Sequence, residues 1–150
     1  MKETQNFTAI IGGCHCGNIR FVLRWPKSDT EIPVRKCGCT FCQKHTGAWT
    51  SHQNAELVVE FIDAKNVSKY GFGTNTADFC VCSICGVVPI VLSEIDDRVY
   101  AVVNVNTLED INEFSFAISS TNFDGEDTEG RLERRKRNWI PSVEFEGFAN

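Results

Sequence analysis

No stretch of the sequence approaches the roughly 20 consecutive apolar residues that a bilayer-spanning helix needs, so a helical membrane span is not expected. Met1 to Asn18 lack a basic start, an apolar core and a small-residue cleavage site. That argues against a secretory signal and predicts a cytoplasmic protein, although a mature secreted fragment would read the same way. Nor is there an excess of positive charge. The net charge of −5 provides no general attraction for nucleic acid or an anionic membrane surface. Internal repeats, low-complexity tracts and dividing linkers are missing as well, so the 150 residues read as one domain over 1–150. Helical periodicity is weak throughout, which leaves a mainly β fold.

Short segments rich in β-branched and aromatic residues stand between turn signals. Ile19, Phe21 and Leu23 alternate with Arg20 and Arg24 in the period of two expected of a half-buried strand, with Val22 blurring the pattern. Leu57 to Ile62, Gly86 to Leu92, Val99 to Val105, Phe114 to Ser119 and Ser142 to Phe148 also read as strands. Pro89 places an edge strand or a bulge in the second of these. Short helices are expected after Cys39 and within Arg131 to Asn138, and Gly125 to Gly130 reads as a mobile loop. The basic run Arg131, Arg134, Arg135, Lys136, Arg137 follows the acidic Asp124, Glu126, Asp127 and Glu129. Opposite charges that face water or each other explain such a pattern; a basic patch for an anionic ligand is the alternative.

Eight cysteines remain to be explained. In a reducing compartment a disulfide framework is disfavoured and metal binding or catalysis is the better reading. They fall into three clusters: Cys14-His15-Cys16, Cys37-Gly38-Cys39-Thr40-Phe41-Cys42 and Cys80-Val81-Cys82-Ser83-Ile84-Cys85. On an extended strand Cys14 and Cys16 would share a face. Cys82 and Cys85 suit a tight knuckle whose left-handed turn Gly86 permits. Together these four thiolates make the closed tetrahedron of a structural zinc. Cys37, Cys39 and Cys42 supply three sulfurs with no second pair to complete them, the arrangement of a catalytic zinc with an open position. Closure of that second site by Cys80, His45 or His52 is the competing reading, and an iron–sulfur cluster is not excluded by ligand type. His15, between two same-face cysteines, is expected to point away from their metal.

The motifs resemble the glutathione-dependent formaldehyde-activating enzyme family, which includes the centromere protein V type. The likeness runs through Gly12-Gly13-Cys14-His15-Cys16-Gly17-Asn18, Lys36-Cys37-Gly38-Cys39-Thr40-Phe41-Cys42-Gln43-Lys44-His45-Thr46-Gly47 and Phe79-Cys80-Val81-Cys82-Ser83-Ile84-Cys85-Gly86, and reaches Val103 to Asp110 and Trp139. It implies a zinc-stapled β fold with two zinc ions per chain, held by Cys14, Cys16, Cys82 and Cys85 and by Cys37, Cys39 and Cys42. It also implies a carbon–sulfur lyase activity run in reverse, the condensation of glutathione with formaldehyde to S-hydroxymethylglutathione. Three positions depart from the pattern: Asn106 stands where a glycine is usual, Asn138-Trp139 replaces Pro-Trp, and Cys80 is additional.

The expected function is therefore a zinc enzyme acting on a small thiol adduct, with the substrate sulfur as fourth ligand of the three-cysteine zinc. Lys44, Thr46, the amides around Gly47 and Trp49 are candidates for contacts to a tripeptide thiol, each with an ordinary surface or core role beside it. The alternative is a non-catalytic, zinc-stapled interaction module; the acidic charge and the lack of a long basic extension count against a chromatin role.

Overall fold

A computed structural model of the chain describes residues 6–112, 114–123 and 125–146. Strands β1 (Phe7–Gly13), β2 (Ile19–Pro26) and β3 (Glu31–Cys37) precede a short helix, α1 (Thr40–His45). Then come β4 (Ala48–Thr50), β5 (Glu56–Phe61), β6 (Val67–Tyr70), β7 (Asp78–Cys82), β8 (Ile90–Ile95), β9 (Arg98–Asn104) and β10 (Ser115–Thr121). Helix α2 (Thr128–Asn138) and β11 (Ser142–Glu146) follow. The fold is mainly β, as expected. A four-stranded sheet has the order β1-β2-β5-β11, and a seven-stranded sheet has the order β10-β3-β4-β9-β8-β7-β6. Among the described residues, β10 pairs in parallel with β3 and β11 with β5, and the other pairings are antiparallel.

The period of two in β2 is fully expressed. Ile19, Phe21, Leu23 and Trp25 are buried, while Arg20 and Arg24 turn outward to Glu60 and Glu56 on β5, each pair at 3.2 Å. These exposed pairs contribute little individually. The inward set meets Leu57 and Val59 from its own sheet, and Ile32, Val34, Ile90, Leu92, Ala101 and Val103 from the other. That is the core between the sheets.

The larger sheet is apolar on its second face too. Successive residues of β8 and β9 alternate between two clusters, Ile90, Leu92, Ala101 and Val103 facing the first, Val91, Ile95, Tyr100 and Val102 the second. The second cluster also holds Cys42, Trp49 and Trp139. A strand buried on both faces reads as a continuous apolar run rather than an alternating one, which is why Ile90–Leu92 and Tyr100–Val103 look alike in sequence. Cys42, Trp49, Val91, Val102 and Trp139 of the second cluster line the site described below.

Several expectations are corrected. Gly86 to Pro89 lie outside any strand, and β8 starts at Ile90, inside the sheet rather than at its edge. Pro89 ends the preceding loop, where its missing N–H interrupts no ladder, and its carbonyl accepts from Asn104 at 2.8 Å. The segment 125–130 is not a loop throughout. Asp127 accepts from the Gly130 N–H at 2.8 Å and caps α2, which begins at Thr128. The other expected strands appear with ends shifted by one or two residues, except that 147–148 and Asp124 lie outside the described residues. Strands β1, β3, β4, β6 and β7 were not anticipated.

Leu23 is wholly buried between the sheets, whereas Val22 beside it is half-buried on the outer face. Leu23→Ala is expected to cost about 2–5 kcal/mol of unfolding free energy by transfer and cavity terms. Val22→Ala is expected to cost about 1 kcal/mol. Urea unfolding of the two variants checks the ranking.

Candidate metal centres

Cys14 and Cys16 are on a turn, not on a strand. β1 ends at Gly13, and the chain reverses with the Gly17 N–H donating to the Cys14 carbonyl at 3.2 Å. Gly17 has φ +88°, a conformation that disfavours any side chain. The Ile19 N–H donates to the Cys14 sulfur at 3.2 Å. The pair thus shares a direction because the turn wraps around it, which corrects the strand argument. The knuckle at Cys82 behaves as expected: Gly86 has φ +83° and its N–H donates to the Cys82 carbonyl at 2.8 Å.

These two turns belong to different sheets, and they converge. The sulfurs of Cys14, Cys16, Cys82 and Cys85 all lie within 4.8 Å of one another. Cys14 and Cys16 are 3.8 Å apart, Cys16 and Cys82 3.5 Å. A tetrahedral ion with metal–sulfur bonds of about 2.3 Å requires sulfur separations of about 3.8 Å. Donor type, number and spacing therefore fit a zinc ion. Without a cation the thiols constrain one another. Burial pushes the Cys14 thiol above its ordinary value. Cys85, where burial is outweighed by the backbone N–H groups of Val87 and Cys16, is brought down to about 6.

Cys37, Cys39 and Cys42 form the second group, again within 4.8 Å of one another. Cys37 ends β3, Cys39 caps α1 by accepting from the Cys42 N–H at 3.4 Å, and Cys42 is in the first turn of that helix. Thr46 then closes the helix in the left-handed region at φ 57°, and the Gly47 N–H donates to the Cys42 carbonyl at 3.1 Å. The indole N–H of Trp49 donates to the Cys42 sulfur at 3.3 Å. A Cβ at Gly47 would stand 2.7 Å from that indole, so glycine is what lets the ring reach the sulfur. The Cys42 thiol is held well above its usual range, first by its hydrogen bond with Cys37 and then by burial, against the pull of Trp49. A divalent cation bound there would replace those protons.

The two groups differ in surroundings. Cys37, Cys39 and Cys42 line a cavity of about 270 Å³, and none of the four sulfurs of the other group does. Its apolar wall comes from Trp49, Phe72, Phe79 and Trp139, its polar wall from Arg35, Arg131, Arg134 and Arg135. Among the described residues no fourth His, Cys, Asp or Glu atom joins the three sulfurs.

The other candidates are placed as follows. His15 is exposed and outside both groups. His45 stacks on Phe41 with ring centres 5.4 Å apart, and His52 lies 3.3 Å from Asp29. Cys80 points into the core between the sheets, where burial pushes its thiol up to about 12. Lys44 and Thr46 are exposed and do not line the cavity; Trp49 does. The departure at Asn106 acquires a role, since its side-chain amide donates to the Thr46 carbonyl at 3.3 Å and ties the end of α1 to the loop after β9.

The arginine wall was legible only as one of two readings of the basic run. Arg131, Arg134 and Arg135 recur at i, i+3 and i+4, which puts them on one helix face. Arg35, 96 residues and more away in sequence, carried no signal. In part the charges do face each other: Glu126 meets Arg134 at 3.0 Å and Arg131 at 3.9 Å.

Gly47→Ala is expected to lift Trp49 off Cys42, costing about 1–3 kcal/mol. Trp49 is only 6% exposed, so a red shift of tryptophan emission and a lowered unfolding midpoint together check this.

Against known proteins, the model of the glutathione-dependent formaldehyde-activating enzyme family matches residues 9–121. A crystal structure of a Rhodobacter sphaeroides protein is also similar, at 24% identity over 71% of this chain and 99% of that one, with a TM-score of 0.45.

Proposed function

This chain belongs to the glutathione-dependent formaldehyde-activating enzyme family, and from that premise we propose that it is a zinc-dependent enzyme of the carbon–sulfur lyase type acting on a glutathione-like thiol adduct. The default reaction is formation of S-hydroxymethylglutathione: the thiol sulfur bonds to the formaldehyde carbon, and the thiol proton ends on the former carbonyl oxygen. One observation carries the reading. Of two cysteine groups, the one with four sulfurs is complete in itself, while the one with three opens into a cavity.

In this reading Cys14, Cys16, Cys82 and Cys85 hold a structural zinc, and Cys37, Cys39 and Cys42 a catalytic one. Cys37, Cys39 and Cys42 would hold the ion and leave one position for the substrate sulfur, and the chemistry it would supply is to favour the thiolate of a thiol whose ordinary pKa is about 8.5. The chain's own residues do the rest. The Trp49 N–H on the Cys42 sulfur fixes that ligand's orientation and spreads its charge. Phe72, Phe79 and Trp139 exclude water from the place where the carbon–sulfur bond forms. Asn106 holds the loop that ends α1, and with it the position of Cys42. A reducing, cytoplasmic setting and action as one domain over 1–150 belong to the same reading. Among the described residues no helix is long and apolar enough to cross a membrane.

Elemental analysis of protein purified without chelator is expected to give close to two zinc ions per chain, one of which exchanges faster when glutathione is added. Two ions indifferent to glutathione would sink the thiol mechanism and leave a doubly stapled interaction module. Cys39→Ser is expected to lose one zinc and at least about 100-fold in kcat/KM while remaining folded.

The four-cysteine group should behave differently. Cys82→Ser removes a ligand that joins two sheets, and structural zinc contributes to folding directly. Thermal unfolding is expected to show a far larger loss for Cys82→Ser than for Cys39→Ser; equal losses would argue against the division of roles.

A further inference from the structure

We infer that the arginine wall of the cysteine cavity is an oxyanion subsite that takes the carboxylate or phosphate end of the substrate. The inference deepens the thiol reading and rests on it only for the sulfur end of the ligand; the anionic end stands on the guanidinium groups themselves.

Four guanidiniums, those of Arg35, Arg131, Arg134 and Arg135, face one cavity, and among the described residues no Asp or Glu lines it. Glu126 lies behind them and is committed. Arg134 donates to both of its carboxylate oxygens, from Nε at 3.1 and 3.2 Å and from Nη2 at 3.0 Å, while Arg131 stands 3.9 Å away. One carboxylate against four cations leaves the wall positive.

Arg35 and Arg135 carry that surplus. Arg35 donates to the Ser51 hydroxyl at 2.7 Å, and its described contacts include no carboxylate. Arg135 is 6% exposed; its Nη1 donates to the oxygens of Thr76 and Ser93, but its Nε has no hydrogen-bond partner among the described residues. A purely structural role accounts for the Nη1 bonds, which pin α2 to β8 and the loop before β7. Neither those bonds nor the Trp139 ring, its centre 4.9 Å from the guanidinium carbon, accounts for a buried Nε edge left open beside the like charges of Arg131 and Arg134, since buried charge persists when it is paired. Burial first, then Arg134 and Arg131, bring Arg135 down to about 10. The planar fork of a guanidinium matches a carboxylate or a phosphate with two parallel hydrogen bonds. Three of the four arginines lie on α2, beyond residue 121 where the family match ends, and Arg35 lies on β3 within it.

The test titrates zinc-loaded protein with inorganic phosphate and, separately, with succinate, neither of which carries a thiol. Calorimetry gives the affinity, and emission from Trp49 and Trp139 reports occupancy of the cavity they line. One oxyanion per chain is expected to bind. Arg35→Gln should weaken it about tenfold, and Glu126→Gln should tighten it severalfold by removing the internal competitor. A gain of affinity is an outcome that a damaged fold does not produce. Binding of succinate alone identifies a carboxylate end, and of phosphate alone a phosphate end; either supports the subsite. No binding by wild-type protein, or affinities unchanged in both variants, overturns it. If the oxyanions bind while glutathione leaves the zinc unaffected, the subsite stands and the thiol reading fails. If glutathione labilises zinc while neither oxyanion binds, the subsite fails and the thiol reading stands.

Discussion

Four sulfur atoms drawn from two sheets meet within 4.8 Å of one another, and the geometry of the molecule depends on that meeting. Two of them come from the turn between β1 and β2 in the smaller sheet, two from the knuckle that leaves β7 in the larger. Thiols this close, with Cys14 and Cys82 buried, do not all lose their protons together unless a cation is there to receive the charge. In the proposed reading, binding an ion and docking the sheets would be one event. A hydrophobic core alone would let the two sheets slide, because apolar contact is not directional. Four directional metal–sulfur bonds at one end would fix their angle.

That fixed angle matters because the larger sheet carries the site on its far face. β8 and β9 send alternate side chains to opposite sides, so residues that seal the core are bonded to residues that line the cavity: Ile90 and Leu92 to Val91, Ala101 and Val103 to Val102. β4 does the same in three residues, where Ala48 packs in the first cluster and Trp49 in the second. Trp49 then reaches the Cys42 sulfur. The three-cysteine group is accordingly held by a strand end, a helix cap and an indole rather than by a free loop, and a site on such elements keeps its geometry.

Local patterns were legible in the sequence, and long-range ones were not. Cysteine spacing announced both sulfur groups because each contributing segment is only a few residues long. Cys14 and Cys16 share a direction through a turn rather than a strand, because Gly17 has a positive φ. Pro89 was read as a mark of an edge or bulge, when it lies just before an interior strand. β3 escaped notice because Pro33 stands in it, and its ladder to β4 involves only Arg35 and Lys36. The start of α2 was missed because Asp127 and Gly130 look like loop residues until their capping bond is seen. The arginine wall joins β3 to α2, and no local pattern reports a contact made across the fold.

The division of the cavity between sulfur and guanidinium has a physical logic. Thiolates select a soft, thiophilic ion and through it a sulfur ligand, yet every biological thiol offers sulfur, so the cysteines by themselves choose little. Discrimination has to come from the far end of the ligand. A site built to satisfy a charged group rejects analogues that lack it, because its own buried charges are then left without partners. Here the sulfurs lie inside the stretch that matches the family, and three of the four arginines lie on the helix beyond it. In the proposed reading, chemistry and most of the selection would be carried by separate stretches of chain.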